Sequence, residues 1–368
     1  MRHQLSLKPT QYICLTILFL VSIQSQAISP NALQQGIPTL APMLEKIIPA
    51  VVSIRVVKYL SSGVQSSVNS EQMPERVRRY FDALPNAGSE RIQQPYATGS
   101  GSGVIVDARD GLIVTNHHVV EGASTIMVQL SDGRSMQAKL LGSDDGTDIA
   151  LLQIEGDDLS EIKFADVSSV QVGDYVVAIG NPFGIGQSVT SGIVSALGRS
   201  GISNDRYEDF IQTDAAINLG NSGGALVDME GNLIGINTAI ISGNGGSNGI
   251  GFAVPGNMVF AVIEHLKRDG EVRRGLLGVT ITDTTPAIVS ALNLNISAGA
   301  LVTSVKTNSA AERAGLEVSD IIVEIAGQSV ASGRDLRNRV GLMLQGQEVT
   351  LVLYRNGERE TLQATIGD

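Results

Sequence analysis

Tryptophan is absent from this sequence, and only 4% of its residues are aromatic. A core with so few rings must be built from aliphatic side chains. Glycine is abundant, at 41 residues, and many glycines among frequent Val and Ile favour short strands joined by tight turns. The single cysteine is Cys14, and the histidines number four, too few for most metal centres. No HExxH, P-loop or GxGxxG followed by a suitable acid occurs, so neither a metal nor a nucleotide cofactor is expected. Cations are outnumbered 26 to 37, for a net charge of −11, which weighs against a phosphate-binding surface and nucleic acid as a partner.

The first residues carry an address. Arg2 and Lys8 flank a polar start, Tyr12 to Ile23 is an apolar run, and Ser25-Gln26-Ala27 places small residues at a cleavage site. Residues 1–27 therefore read as a cleavable signal peptide, too short for a comfortable membrane span. The expected mature chain is secreted, with no stable membrane anchor. Cleavage removes two cations and no anions, taking the net charge from −11 to −13. It also removes Cys14, which excludes disulfides, thiolate metal sites and cysteine nucleophiles.

Residues 28–42 read as a loose mature N-terminus, and Val51–Val57 as the first strand. Residues 60–98 form a polar insertion, in which Val77, Tyr80, Phe81 and Leu84 recur at helical spacing. From Gly99 to Ala253, short apolar runs alternate with turn signals, the pattern of an all-β barrel or sandwich. Met258–Lys267 reads as an amphipathic helix ended by Gly270. The divisions expected are a main domain over 43–268, a linker at 269–274 and a second domain over 275–366. In the latter, strands are expected near 277–281, 300–306, 320–326 and 348–354. Helices are expected at Ser309–Ala314 and Gly333–Val340, and an Asn-Gly hairpin turn at Arg355–Glu358.

Chemistry concentrates at three places. Gly220-Asn221-Ser222-Gly223-Gly224 offers a serine on a tight turn, with backbone amides near it to hold an oxyanion. Alone, such a run is usually an ordinary turn. A histidine pair, His117-His118, follows a strand and can supply the base. Asp148, in Thr147-Asp148-Ile149-Ala150-Leu151, can orient the imidazole, although it also suits a turn beside the acidic stretch Ser143–Gly146. Gly220-x-Ser222-x-Gly224 also fits the nucleophile elbow of α/β-hydrolases. That fold needs a helix after the serine and a catalytic histidine later in the chain. Here Ala225-Leu226-Val227 and a second strand follow, and the only later histidine, His265, lies on an amphipathic helix. The order His, Asp, Ser is that of chymotrypsin.

These motifs resemble the HtrA family, which comprises DegP, DegQ and DegS types. The resemblance runs through Thr115–Val120, Thr147–Leu151, Gln212–Asn218, Gly220–Leu226 and Ile250–Pro255, and covers roughly residues 40–366. It implies a mainly β fold, a trypsin-like double six-stranded β-barrel followed by a PDZ domain. It implies His118 as the base, since the family base directly precedes Val-Val, with Asp148 as its orienter and Ser222 as the nucleophile. The amides of Gly220 and Ser222, with Asn221 a third candidate, would form the oxyanion hole. Thr238, Ala239, Ile240, Ile241 and Ser242 would pair with extended substrate, and Ile217 and Ile240 would line the S1 pocket. Arg199 would begin a regulatory loop running to Asp209.

By the same resemblance, Gly275-Leu276-Leu277-Gly278 forms the PDZ carboxylate-binding loop, and Leu277 to Ile281, through Val279 and Thr280, accepts a peptide as an added strand. Arg274 would add charge complementarity. The implied activity is ATP-independent endoproteolysis of unfolded proteins in the periplasm by a homotrimer, with chaperone activity beside it. A regulatory protease of the DegS type, or a protein that is mainly a chaperone, are the alternatives. One PDZ domain and a cleavage signal together resemble a DegQ type that lacks, or has been cut before, a second PDZ domain.

Overall fold

The computed structural model describes residues 39–59, 95–181, 186–201, 207–218, 220–240, 247–291, 294, 296 and 298–367. The amphipathic stretch at 77–84 and the signal-peptide reading fall outside them. The chain divides into two compact units, Met1–Leu44 and Glu45–Asp368. In the first, the described residues are 39–44, where helix α1 (Ala41–Ile47) begins. All that follows concerns the second unit.

Two closed six-stranded barrels come first. One orders its strands β1 (Val51–Tyr59), β2 (Pro95–Asp107), β3 (Leu112–Thr115), β6 (Ile149–Gln153), β5 (Ser135–Asp144) and β4 (Thr125–Gln129). The other runs β10 (Ala225–Val227), β11 (Leu233–Ile240), β12 (Gly251–Pro255), β9 (Phe210–Thr213), β8 (Ser188–Arg199) and β7 (Tyr175–Gly180). Neighbouring strands are antiparallel throughout. The aliphatic composition fills the interiors. Ile54, Ile105, Ile113, Leu151 and Leu152 are fully buried in the first barrel, and Ile179, Ile211 and Leu226 in the second. β4 alternates buried with half-buried residues, as a strand with one face on a core must.

β1 is longer than Val51–Val57 because tertiary pairing carries it onward. Its partner β2 begins at Pro95, inside the expected insertion, and the ladder continues to Tyr59 opposite Pro95. Here strand pairing overrides a polar local composition.

After β12, helix α3 (Gly256–Asp269) buries Val259, Val262, Ile263 and Leu266 on one face. It ends where Gly270, at φ +74°, returns its amide to the Leu266 carbonyl. A third sheet follows, ordered β13 (Val279–Asp283), β14 (Ala300–Val305), β15 (Ile321–Ile325), β17 (Glu348–Arg355) and β18 (Glu358–Thr365), with β16 (Gln328–Ser329) beside β15. Between its strands lie helices α4 (Pro286–Ala291), α5 (Ala310–Ala314) and α6 (Gly333–Leu342). The Asn-Gly hairpin forms as its residues demand, with Asn356 at φ +50° and Gly357 at φ +91°. β13 sits at the edge of the sheet.

Candidate active site

The sequence Thr115-Asn116-His117-His118 leaves strand β3 and turns at once into the one-turn helix α2 (His117–Val120). That turn is tied to residue 148. The Asp148 carbonyl accepts from the His117 amide at 3.0 Å and from Asn116 Nδ2 at 3.0 Å. Asp148 itself adopts φ +59°, a left-handed conformation that few non-glycine residues take outside functional or strained sites. Its carboxylate receives His118 Nδ1 at 3.0 and 2.9 Å on its two oxygens, and the His118 amide at 3.1 Å. Thr238 Oγ1 donates to Oδ2 from β11 in the second barrel.

Asp148 is 1% exposed. Burial pushes its carboxyl upward, but the hydrogen bond and charge of His118 and the Thr238 hydroxyl outweigh burial and hold it below the usual carboxylate range. An ionised carboxylate facing Nδ1 requires the proton on Nδ1. The free Nε2 is then the acceptor that a general base needs. His117 is turned elsewhere, with its Nδ1 3.0 Å from Ser143 Oγ.

Ser222 stands on a turn that only glycine permits on both sides. Gly220 and Gly223 have φ +100° and +81°, and a Cβ on Gly223 would strike the Ser102 carbonyl and Thr115 Oγ1. The Asn221 amide donates to the Asn218 carbonyl at 3.0 Å, so it is not available to an oxyanion. Among the described residues, the amides of Gly220 and Ser222 have no partner. Of the three amides expected to serve an oxyanion hole, those of Gly220 and Ser222 are left to accept a ligand and that of Asn221 is not. Ser222 Oγ donates to the Thr238 carbonyl at 3.3 Å, and among the described residues no hydrogen bond joins it to His118. Such hydrogen bonds commonly tighten only with substrate bound.

Thr238 was expected only on the substrate strand. The structure gives it a second part, since its hydroxyl buttresses Asp148. A polar residue after Asn237 on an otherwise apolar strand was the available signal. Ile217 is buried in the core of the second barrel with Val194, Ile211 and Ala253. Ile241 and Ser242 lie outside the described residues, as do the side chains of Ala239 and Ile240.

In the third sheet, the Leu276 amide and carbonyl are both paired with Gly367 at 2.9 Å. The amides of Leu277 and Gly278 have no partner among the described residues and precede the edge strand β13. A Cβ on Gly278, at φ +79°, would strike Ser309. Val279, Thr280 and Ile281 lie on β13 itself.

Arg274 corrects the expectation of a carboxylate partner. Its Nη2 binds both oxygens of Asp144, at 2.7 and 2.6 Å, and its guanidinium lies 4.1 Å from the centroid of Tyr207. Arg337 of α6 lies 4.6 Å from the same ring centroid. These are cation–π contacts, and they commit Arg274 to the first barrel. Asn338 Nδ2 donates to the Glu208 carbonyl at 2.7 Å. Among the described residues of the expected regulatory loop, Tyr207 and Glu208 meet Arg274 and helix α6. Arg199 instead donates from Nε to Gln212 Oε1, at 2.9 Å, within its own hairpin. His265, fully buried, is spent on the Leu342 carbonyl at 3.0 Å.

Asp209 borders a cleft of about 290 Å³ lined by Asn257, Met258, Asn338, Arg339 and Leu342. Burial, and then the charge of Asp335, push its carboxyl from 3.8 to about 6, against the opposing pull of Arg339. The folded protein therefore keeps a proton that the unfolded chain loses near 3.8, and this contribution to stability is lost as pH rises toward about 6. Asp209→Asn removes the penalty, so its melting temperature should gain on the parent's between pH 4.5 and 7.5. Parallel melts at the two pH values check this, and an unchanged gap refutes it. Thr238→Val removes the buttress while keeping a branched side chain. Loss of a hydrogen bond to a charged group predicts about a tenfold fall in kcat, with KM held within about twofold, on a peptide substrate.

Comparison with known proteins agrees with this geometry. The model of the trypsin-like peptidase domain matches residues 101–236, and that of the PDZ domain matches residues 275–366. The chain is 47% identical over 349 residues to the periplasmic pH-dependent serine endoprotease DegQ of Escherichia coli K12, covering 94% of this chain and 74% of that one. It is 47% identical over 344 residues to the periplasmic serine endoprotease DegP of the same strain, covering 88% and 71%. Among solved structures, the HtrA-type protease AlgW with a tripeptide matches with a TM-score of 0.66 and 40% identity, over 90% of this chain and 97% of that one. The same protease with a decapeptide matches with a TM-score of 0.63 and 40% identity. Two trypsin-like barrels, a PDZ sheet and this degree of identity together make the chain a serine endoprotease of the HtrA family.

Proposed function

We propose that the protein hydrolyses unfolded proteins in the periplasm without ATP, through Ser222 as nucleophile, His118 as base and Asp148 as its orienter. The observation that carries this reading is the His118–Asp148 pair, held across the barrel interface by Thr238, together with a serine turn on which the Gly220 and Ser222 amides have no partner among the described residues. His118 takes the Ser222 proton as Oγ attacks the scissile carbonyl. The Gly220 and Ser222 amides hold the oxyanion, and His118 then protonates the leaving amine. An unfolded substrate can enter as an extended strand beside Thr238–Ser242. The described residues include no helix long and apolar enough to cross a membrane, and the export signal at 1–27 is part of this proposal.

Cleavage after small aliphatic residues follows from Ala216, which stands six positions before the nucleophile, where trypsin carries the acid that binds Lys or Arg. A buried ammonium there would lack a counter-charge. The PDZ domain captures peptide C-termini on the Leu277 and Gly278 amides, with the peptide added along β13. Assembly as a homotrimer, with chaperone activity beside proteolysis, completes the proposal.

Purified parent, Ser222→Ala, His118→Ala and His117→Ala proteins incubated with unfolded casein test the triad. The first two variants should lose at least about a thousandfold in rate, whereas His117→Ala should keep substantial activity. Casein cleavage by Ser222→Ala, or equal losses for the two histidines, overturns the assignment. Mass spectrometry of the fragments should show Val, Ala or Ile before the cut, and a map dominated by Lys and Arg refutes the pocket.

A further inference from the structure

Ser102 is a polar residue with no exposed surface, in the Gly99–Gly103 run of β2, and every polar atom it has is engaged around the catalytic turn. Its amide donates to the Ser222 carbonyl at 2.8 Å, and its carbonyl accepts from Thr115 Oγ1 at 2.7 Å. Its Oγ lies 2.7 Å from the Asn181 amide nitrogen and 2.6 Å from the Gly220 carbonyl oxygen. A hydroxyl has one proton, and a backbone amide can only donate. Ser102 Oγ therefore accepts from Asn181 and gives its own proton to Gly220.

That polarity bears on the oxyanion hole. The Gly220–Asn221 peptide is pinned at both ends, its carbonyl by Ser102 Oγ and its N–H by the Asn218 carbonyl. The next peptide is held by the Gly224 amide, which donates to the Asn221 carbonyl at 2.9 Å. In a trans peptide the N–H points opposite to the C=O, so this contact aims the Ser222 N–H. Gly220, at φ +100°, can rotate the peptides on either side of it at little steric cost, so an anchor on the Gly220–Asn221 peptide limits the swing of the neighbouring peptides as well. Among the described residues, Ser102 is the only side chain bonded to that carbonyl. It also joins three parts of the fold, namely β2 of the first barrel, the end of β7 in the second, and the catalytic turn.

We propose that Ser102 is a positioning residue for the oxyanion hole: its hydroxyl, oriented by the Asn181 amide, holds the Gly220–Asn221 peptide, which lies between the two peptides carrying the Gly220 and Ser222 N–H groups, and so limits the rotation of both donors away from the developing oxyanion. The proposal rests on Ser222 as the nucleophile. It separates Ser102 from an ordinary buried hydroxyl, whose loss would change stability and leave the split between kcat and KM untouched.

The test compares the full-length parent with Ser102→Ala and Ser102→Cys. The substrate is a quenched fluorescent peptide spanning a casein bond that the parent cleaves. The probe is a fluorophosphonate, whose phosphoryl oxygen must enter the oxyanion hole. Deleting an oxyanion donor typically costs ~10²–10³ in kcat, so loss of its anchor should lower kcat and the labelling rate by about tenfold to a hundredfold in Ser102→Ala. Ser102→Cys, a weaker donor, should fall between. KM, and peptide affinity measured in a Ser222→Ala background, should stay within about threefold of their controls. A kcat and labelling rate within about threefold of the parent overturn the proposal, as does a loss shared equally with KM and affinity. If Ser102→Ala does not fold, Ser102→Cys decides, because labelling at the parent's rate refutes the role and slower labelling with unchanged affinity supports it. A parent that is not labelled on Ser222 refutes the nucleophile assignment instead.

Discussion

The active site depends on two barrels meeting along one seam, because neither barrel holds enough of the chemistry alone. The first supplies His118 and Asp148, and the second supplies Ser222 and Thr238. The hydrogen bond from Thr238 to the Asp148 carboxylate crosses that seam, as does the one from the Ser102 amide to the Ser222 carbonyl. A buried carboxylate is costly unless every lone pair is met. Here the cost is offset by donors from both sides, and the result is an ionised Asp148 that fixes the imidazole tautomer. The left-handed backbone of Asp148 is the local strain this arrangement carries, held in place by the His117 and Asn116 contacts to its carbonyl.

The same reasoning covers the catalytic turn. Glycines at 220, 223 and 224 leave room for the backbone of β2 and for a scissile carbonyl, but they also leave the peptide planes free to rotate. The geometry of the oxyanion donors therefore has to come from outside the turn. The Ser102 hydroxyl, the Asn218 carbonyl and the Gly224 amide supply it, each bonding a group that would otherwise be free to swing.

Among the described residues, the PDZ domain meets the protease at Tyr207 and Glu208 as well as at His265. The Tyr207 ring takes Arg274 and Arg337 at 4.1 and 4.6 Å from its centroid, and Arg274 is itself neutralised by Asp144. Asp209, two residues on, is raised by burial and then by the charge of Asp335, against the pull of Arg339. The described loop residues that touch the PDZ domain lead directly into β9, which belongs to the barrel carrying Ser222. Contacts at α6 and the catalytic turn are linked through one continuous backbone segment.

Much of this was legible in the residues themselves. The alternating aliphatic runs dictated short strands, the Asn356-Gly357 pair dictated a hairpin, and Gly270 marked the end of α3, because each rests on local sterics or on a period of side-chain burial. The order of His118, Asp148 and Ser222, with a strand after the serine, separated a chymotrypsin-like arrangement from a nucleophile elbow. Other features had no local signal. Arg274 sits beside the carboxylate loop in sequence, yet Asp144, 130 positions away, claims it. The Asn221 amide looks as available as its neighbours until the fold places the Asn218 carbonyl on it. Thr238 and Ser102 are unremarkable strand residues until two barrels bring them to the same seam. Composition and motif spacing determined the strands, the turn and the three catalytic residue types. Tertiary structure alone decided which polar groups were left free, because a donor's availability depends on what the rest of the chain packs against it.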